Sequence, residues 1–477
     1  MGACVRAALL CLGLLALCEA GTWRRAIDWP QIEPELLGYF RALVQIDTTN
    51  PPGNETRVVN YLRPILEREG ISCQVFALEK SRANLVARLK GNGSKRPVII
   101  MGHTDVVGVD RARWKFDPFG ATLREGFVIG RGTVDDKSHV AAGLMTMLLL
   151  KRTGAPLDRD VIFIAEAGEE GTTKFGIDYL VAEHWDEIAA EYALAEGGET
   201  AARNGTVRYS EITTTEKVVR RTRLIAHGMA GHGSQPRLDN AITHLAAALV
   251  KVTQWQTPAR LNETTRIYFQ RLARISPPEE AWRYQHLADA DKGPAIQRYF
   301  AEHELEHYSI LRTSISPTVI RGGFRNNVIP SEAEAELDIR ALPDEDMPRF
   351  YAQLRRVIDD PSIEVAPSAD ALRPAAPASR LDTDMFHALE HAQQRMWPGA
   401  ITLPAMVTGA TDLAQLRAKG VQAYGFGPVV DEQGRDGGGG PHSDDERLRE
   451  SSLYEMTRFL WSAVTEVAVS PMLTSTK

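Results

Sequence analysis

Cysteine is almost absent from this 477-residue chain: Cys4, Cys11 and Cys18 crowd into the first eighteen residues, which leaves Cys73 alone downstream. Without an internal disulfide framework, packing has to hold the fold together. An excess of positive charge is also missing. Lys and Arg number 55 against 62 Asp and Glu, for a formal net charge of −7 and a pI near 6.0, which gives no reason to expect a nucleic-acid partner. Beyond the first twenty residues no apolar run reaches membrane-spanning length, and there is neither an internal repeat nor a long disordered tract. What remains, 43% apolar and 25% charged residues, is a globular composition. The chain is too long for one ordinary core, so two domains are expected.

The first twenty residues stand apart. Arg6 precedes an apolar run from Ala7 to Leu17, and Cys18-Glu19-Ala20 supplies small residues for a cut after Ala20. Residues 1–20 therefore read as a signal peptide, and the mature protein is expected to be soluble and secreted or periplasmic. A lipid anchor at Cys18 is poorly served by Leu17. Sequons stand at Asn54, Asn92, Asn204 and Asn262 and matter only in a host that glycosylates.

Apolar residues spaced by threes and fours predict helices over 29–69, broken at Asn50-Pro51-Pro52-Gly53. Strands are expected at 73–77, 84–88, 98–101, 161–165 and 192–195, with a helix at 138–150 that is apolar nearly all round. This alternation predicts an α/β fold, a mixed sheet sandwiched by helices. Near residue 215 the pattern changes. Strands at 218–226, 316–321 and 333–339 with helices at 240–255 and 347–358 predict an inserted α+β two-layer domain over 215–363. A polar helical insert occupies about 256–311 within it. Residues 21–214 and 364–477 are then the two parts of one catalytic domain.

Residues able to carry chemistry sit where those strands end, the usual ligand position in α/β folds. His103 and Asp105 share one face of an extended segment, which suits a metal-ligating imidazole with a carboxylate to orient it. Asp135 and Asp136 open the 138–150 helix. Glu169 and Glu170 follow one strand, Glu196 follows another, and His442 follows the glycines at 437–440 and Pro441. Oxygen donors with two imidazoles and no thiolate suit a hydrolytic Zn²⁺ site, with Co²⁺ or Mn²⁺ as substitutes. The donors exceed what one tetrahedral ion takes, so two ions sharing a bridging carboxylate and a water is the economical reading. Ser443 and Glu446 read as a capping box at the head of a last helix over 446–467.

The motifs H-T-D at 103–105, G-R-G-T-V-D-D-K at 130–137, A-G-E-E-G at 167–171, A-E-G-G-E at 195–199 and P-H-S-D-D-E at 441–446 resemble, in order, those of the aminoacylase/carboxypeptidase S/carnosinase family of dizinc metallopeptidases. The resemblance covers nearly the whole mature chain. It implies that His103 and Glu170 bind one zinc, that Glu196 and His442 take the remaining terminal positions, and that Asp135 bridges. It also implies that Asp105 supports His103, that Glu169 is the general base, and that the Asp135–Asp136 peptide is cis.

The inserted domain resembles the family's lid. G-M-A-G-H-G-S at 228–234 places His232 as the histidine that steadies the oxyanion, supplied by the partner subunit in dimeric relatives, which implies a homodimer through the lid domain. N-V-I-P at 327–330 and D-I-R at 338–340 resemble the segment that grips a substrate carboxylate, here with Asn327 and Arg340. T-G-A-T-D at 408–412 resembles the substrate loop, with Gly409 as its contact and Ala410 where a glycine is commoner. The insert resembles extended lids of N-acyl amino acid hydrolases and is expected to enlarge the acyl pocket.

The resulting expectation is a dizinc hydrolase cleaving the amide bond of peptides or N-acyl amino acids that carry a free carboxylate. Two other readings compete. H-E-L-E-H at 303–307 matches a zinc-protease pattern with His303 and His307 on one helix face, although no motif nominates a third ligand. A peptide-binding homologue without catalysis is disfavoured because Glu169 is present.

Overall fold

The run Val98–His103 is buried at every position because parallel strands flank it on both sides, Val161–Glu166 and Tyr192–Ala195. A computed structural model describes residues 27–368, 373–431 and 438–470. The expected leader at 1–20 and Gly437 lie outside the described residues. These three strands are the middle of a ten-stranded mixed sheet in which alternate side chains serve opposite layers. Ile100 and Phe163 face the helices Trp29–Val44, Lys137–Arg152, Asp384–Met396 and Glu450–Ala468, while Ile99 and Ile162 face Ile177–Glu183 and Leu413–Ala418. Lys137–Arg152 is buried all round as far as Leu150, since the sheet lies beneath it and Trp29–Val44 and Glu450–Ala468 pack over it.

The inserted domain is a four-stranded antiparallel sheet of Ser314–Gly322, Glu332–Ala341, Val218–His227 and Ile363–Pro367, in that order. Helices Ala241–Gln254 and Met347–Ile358 cover one face through Leu224, Leu245, Leu337 and Phe350. Beyond exposed Glu332, the strand Glu332–Ala341 alternates between buried and half-buried positions, so its second face presents Glu336, Asp338 and Arg340.

The insert forms four short helices, Glu263–Leu272, Pro278–His286, Gly293–His303 and Leu305–Ile310. Its core of Tyr268, Phe269 and Phe300 runs on into Leu403, Ala405 and Met406 of the strand Ile401–Val407, which pairs with Thr206–Glu216 of the large sheet. The insert is therefore seated on the catalytic sheet.

Three local expectations are corrected. The hairpin Thr200–Arg203/Thr206–Glu216 was absent from the strand forecast. Its signal was Asn204-Gly205, both at positive φ, a tight hairpin turn. The last helix starts at Glu450, because 447–449 pairs as a strand with Phe127–Ile129. Ser443 and Glu446 therefore form no capping box, and Ser443 Oγ instead donates to the Gly440 carbonyl. The H-E-L-E-H segment breaks at Glu304 (φ −137°, ψ 66°), so His303 and His307 lie on different helices and share no face. His303 is exposed, whereas His307 turns inward to Glu304 and Tyr268.

Candidate metal centre

Each strand end delivers its side chain to one point. His103, the last residue of its strand, is buried with Nε2 2.7 Å from Asp135 Oδ1 and Nδ1 3.0 Å from the Asp105 carbonyl. The Asp105 carboxylate, 3.5 Å from Nδ1, is mostly engaged elsewhere. It accepts the N–H groups of Gly168, Glu169 and Glu170 and the side-chain amide of Asn50 at 2.7 Å. Asp105 thus holds the turn that aims Glu169 and Glu170, a task that its place in H-T-D does not announce.

The peptide Asp135–Asp136 is cis. Asp136 accepts the His103 backbone N–H at 3.2 Å and pairs with His139, whose other nitrogen donates to the Phe426 carbonyl. The loop before Asp135 is tied down by buried Glu446. Its carboxylate pairs with Arg131 at 2.6 Å and accepts the N–H groups of Gly132, Val134 and Asp135. Glu446→Ala strips four donors of their acceptor. It should destabilise the metal-free protein by about 3 kcal/mol and weaken zinc affinity ~10–100-fold, as read by denaturant titration and zinc binding.

Asp135 lies between two imidazoles: Oδ1 faces His103, and Oδ2 lies 3.2 Å from His442 Nε2. His442, half exposed and at φ 63°, also reaches Glu170 Oε1 at 3.0 Å, while His103 Nε2 lies 3.9 Å from Glu196 Oε2. These distances differ from the grouping expected from sequence. His442 sits with Glu170, and His103 with Glu196, although Glu170 also lies within 4.8 Å of the His103–Asp135 pair. Glu169 ion-pairs with Arg373, which also holds Asp412 at 2.9 Å. Sequence reasoning missed Arg373: it belongs to no motif and arrives from the segment that follows the lid.

The donor set fits divalent cations, and the local field says the same. Burial, reinforced by Asp135, pushes the Glu196 carboxyl well above the ordinary range, and burial brings Glu169 up to about 8. Burial also raises Glu166 and Asp412, which face one another. Both imidazoles are held toward the charged form. For His442 the partners Asp135 and Glu170 raise it to about 10; for His103 burial opposes the charge but Asp105 and Asp135 outweigh it. Burial likewise opposes ionisation of Asp135, and hydrogen bonds from the two histidines prevail. Buried carboxylates in excess of their cationic partners are the condition that a bound cation relieves.

Other candidate residues fall into two groups. Arg340 and Gly409 line a cavity of about 980 Å³ that also exposes Glu169, Glu170, His442 and Arg373, and Arg340 forks onto Asp338 at 2.9 and 3.1 Å. His232 and Asn327 lie apart from the metal centre. The strand Gly231–His232 pairs with Val328–Ile329, His232 accepts from Ser234, and the Asn327 carbonyl accepts from Gly233. No hydrogen bond or ion pair joins His232 to the metal donors among the described residues. Nor is any described helix long and apolar enough to cross a membrane.

Comparison with known proteins places the chain among metallopeptidases and aminoacylases. The chain is 26% identical to a probable carboxypeptidase S-like 2 of Dictyostelium discoideum, over 80% of this chain and 74% of the relative. It is 26% identical to aminoacylase-1 of Mus musculus, over 84% and 88%. It is 27% identical to the human N-fatty-acyl-amino acid synthase/hydrolase PM20D1, over 70% and 67%. Its fold resembles the M20 family metallo-carboxypeptidase Sso-CP2 from Sulfolobus solfataricus (TM-score 0.69, 17% identity, 91% of this chain and 99% of that one). Human carnosine dipeptidase 1 is also similar in fold (TM-score 0.66, 18% identity, 92% and 97%). The family model described as peptidase family M20/M25/M40 matches residues 99–466, a span that takes in every donor gathered around Asp135, and the chain belongs to that family.

Proposed function

We propose that this protein is a dinuclear zinc hydrolase that cleaves the amide bond of a small peptide or N-acyl amino acid bearing a free carboxylate. The observation that carries the reading is Asp135, with one carboxylate oxygen turned to each of two imidazoles. His103 and Glu196 would hold one cation, His442 and Glu170 the other, and Asp135 would bridge. The chemistry supplied there by a bound cation pair is Lewis acidity, which polarises a carbonyl and acidifies a water. Glu169 takes the attacking water's proton on its carboxylate and returns it to the leaving amine. Asp105 keeps Glu169 and Glu170 on their turn. Arg340 anchors the substrate carboxylate as a bidentate donor, and Gly409 lets the substrate backbone approach. His232 is read as an oxyanion donor from a second copy of the chain docked through the lid. Export by residues 1–20 belongs to the same reading.

The test is hydrolysis of C-terminal dipeptides and N-acyl amino acids by chelated enzyme refilled with zinc, cobalt or manganese. Activity should vanish with the metal and return with it; full turnover by metal-free protein would end the proposal. Arg340→Met should raise KM for free-carboxylate substrates ~10–100-fold, the range of one charged hydrogen-bonded contact. The same change should leave C-terminally amidated analogues equally poor for both enzymes, as read from parallel steady-state curves.

A further inference from the structure

A second cavity, of about 580 Å³, is walled by the helical insert and by the strands Thr206–Glu216 and Ile401–Val407. Gly197 and Gly198, directly after Glu196, line it. It meets the Arg340 cavity across one loop, since Thr408 lines this one and Gly409 the other. Gly198 leaves no space for a side chain, because a Cβ there would lie 2.3 Å from the Glu211 carbonyl. The two cavities thus flank the donors, one through Glu169, Glu170 and His442 and the other through the residues that follow Glu196, and a substrate held at Arg340 has this second cavity as the space for its acyl portion.

The lining is chemically one-sided. It carries five glutamates and three tyrosines, with no lysine or arginine among the described residues. Glu304 is committed to His307 at 2.5 Å, to the Tyr284 hydroxyl, and more loosely to Arg283. Among the described residues Glu211, Glu280 and Glu306 have no ion pair. Glu211 accepts the Tyr268 hydroxyl on one oxygen, at 3.3 Å, and has no cationic partner among the described residues. Burial, with Glu306 nearby, brings the Glu211 carboxyl up to about 8, the mark of a carboxylate set in a wall without a counter-charge. A long alkyl chain placed here would have to desolvate these carboxylates with nothing to replace their water. An ammonium or guanidinium replaces it with charge-assisted hydrogen bonds, and tyrosine faces add to the attraction.

We propose that the helical insert builds an acyl-side subsite for a cationic group, a primary ammonium or guanidinium, so that basic peptides rather than fatty-acyl amino acids are the preferred substrates. This rests on the amide-hydrolase reading for the reaction, whereas occupancy of the cavity by a cation does not. It also narrows the expectation that the insert enlarges the acyl pocket: the enlargement is acidic.

Three substrates sharing one C-terminal residue separate the possibilities: lysyl-phenylalanine, N-hexanoyl-phenylalanine and N-lauroyl-phenylalanine. The lysyl substrate should exceed both others in kcat/KM by ~10-fold or more. Glu211→Gln and the exposed Glu306→Gln should each shrink that ratio through KM. A preference for the lauroyl substrate, or a ratio untouched by both variants, overturns the proposal. Calorimetric binding of hexylamine against hexanol reads the cavity without turnover. Tighter binding of the amine, lost in Glu211→Gln, supports the subsite, and equal binding of the two overturns it. If none of the three amides is cleaved, the hydrolase reading fails while the amine titration still decides the subsite.

Discussion

Glu169→Gln should lower kcat by ~10²–10⁴-fold with zinc content and fold unchanged. The residue stands on the turn that Asp105 fastens, one position before Glu170, and its only ion pair among the described residues is to Arg373. The amide keeps the shape and an acceptor for that guanidinium but cannot take a proton at neutral pH. It also removes a charge whose burial already drives the carboxyl up to about 8, so stability should not suffer. KM should move little, because the lost interaction belongs to the transition state. Metal analysis beside steady-state rates decides the matter. Loss of zinc would make Glu169 a ligand, and retained turnover would remove it from proton transfer.

Asp135→Ala should release both metal equivalents and lower activity at least ~10³-fold, since a cation's polarisation is worth several kcal/mol in the transition state. The bridging position predicts more than a loss. His442→Ala and Glu170→Ala should each release the same single equivalent, and their double variant should bind no fewer ions than either alone, because the two side chains sit 3.0 Å apart and His442 faces Asp135 Oδ2. His103→Ala should release the other equivalent, shared with Glu196. Zinc counted per chain after dialysis against weak chelator reads all five variants. If His103→Ala and Glu170→Ala emptied the same position while His442→Ala emptied the other, the grouping first drawn from sequence would stand and the distances would have misled.

Much of the centre was legible before any coordinates because its chemistry is local. H-T-D, D-D, E-E and P-H each place donors within a few residues of a strand or loop end, and short segments suffice to show a strand ending. The supports were less legible. Glu446 looked like half of a capping box because three-residue spacing is all that a sequence displays. Its actual partners, Arg131 and the N–H groups of Gly132, Val134 and Asp135, lie more than three hundred residues away. Arg373 gave no signal, and the histidines of H-E-L-E-H gave a false one, because a helix break at Glu304 cannot be read from a spacing.

Order along the chain determined which donors exist, that the sheet is mixed, and that a separate α+β layer interrupts the catalytic domain, since period and residue type survive in one dimension. Tertiary structure alone decided which imidazole neighbours which carboxylate, that Asp105 serves the Glu169–Glu170 turn, and that the insert rests on the catalytic sheet with an acidic cavity beneath it. The physical reason is common to all three. Electrostatic and packing contacts act over a few ångströms of space, and residues such as His442 and Asp135 become neighbours only after the sheet between them has formed.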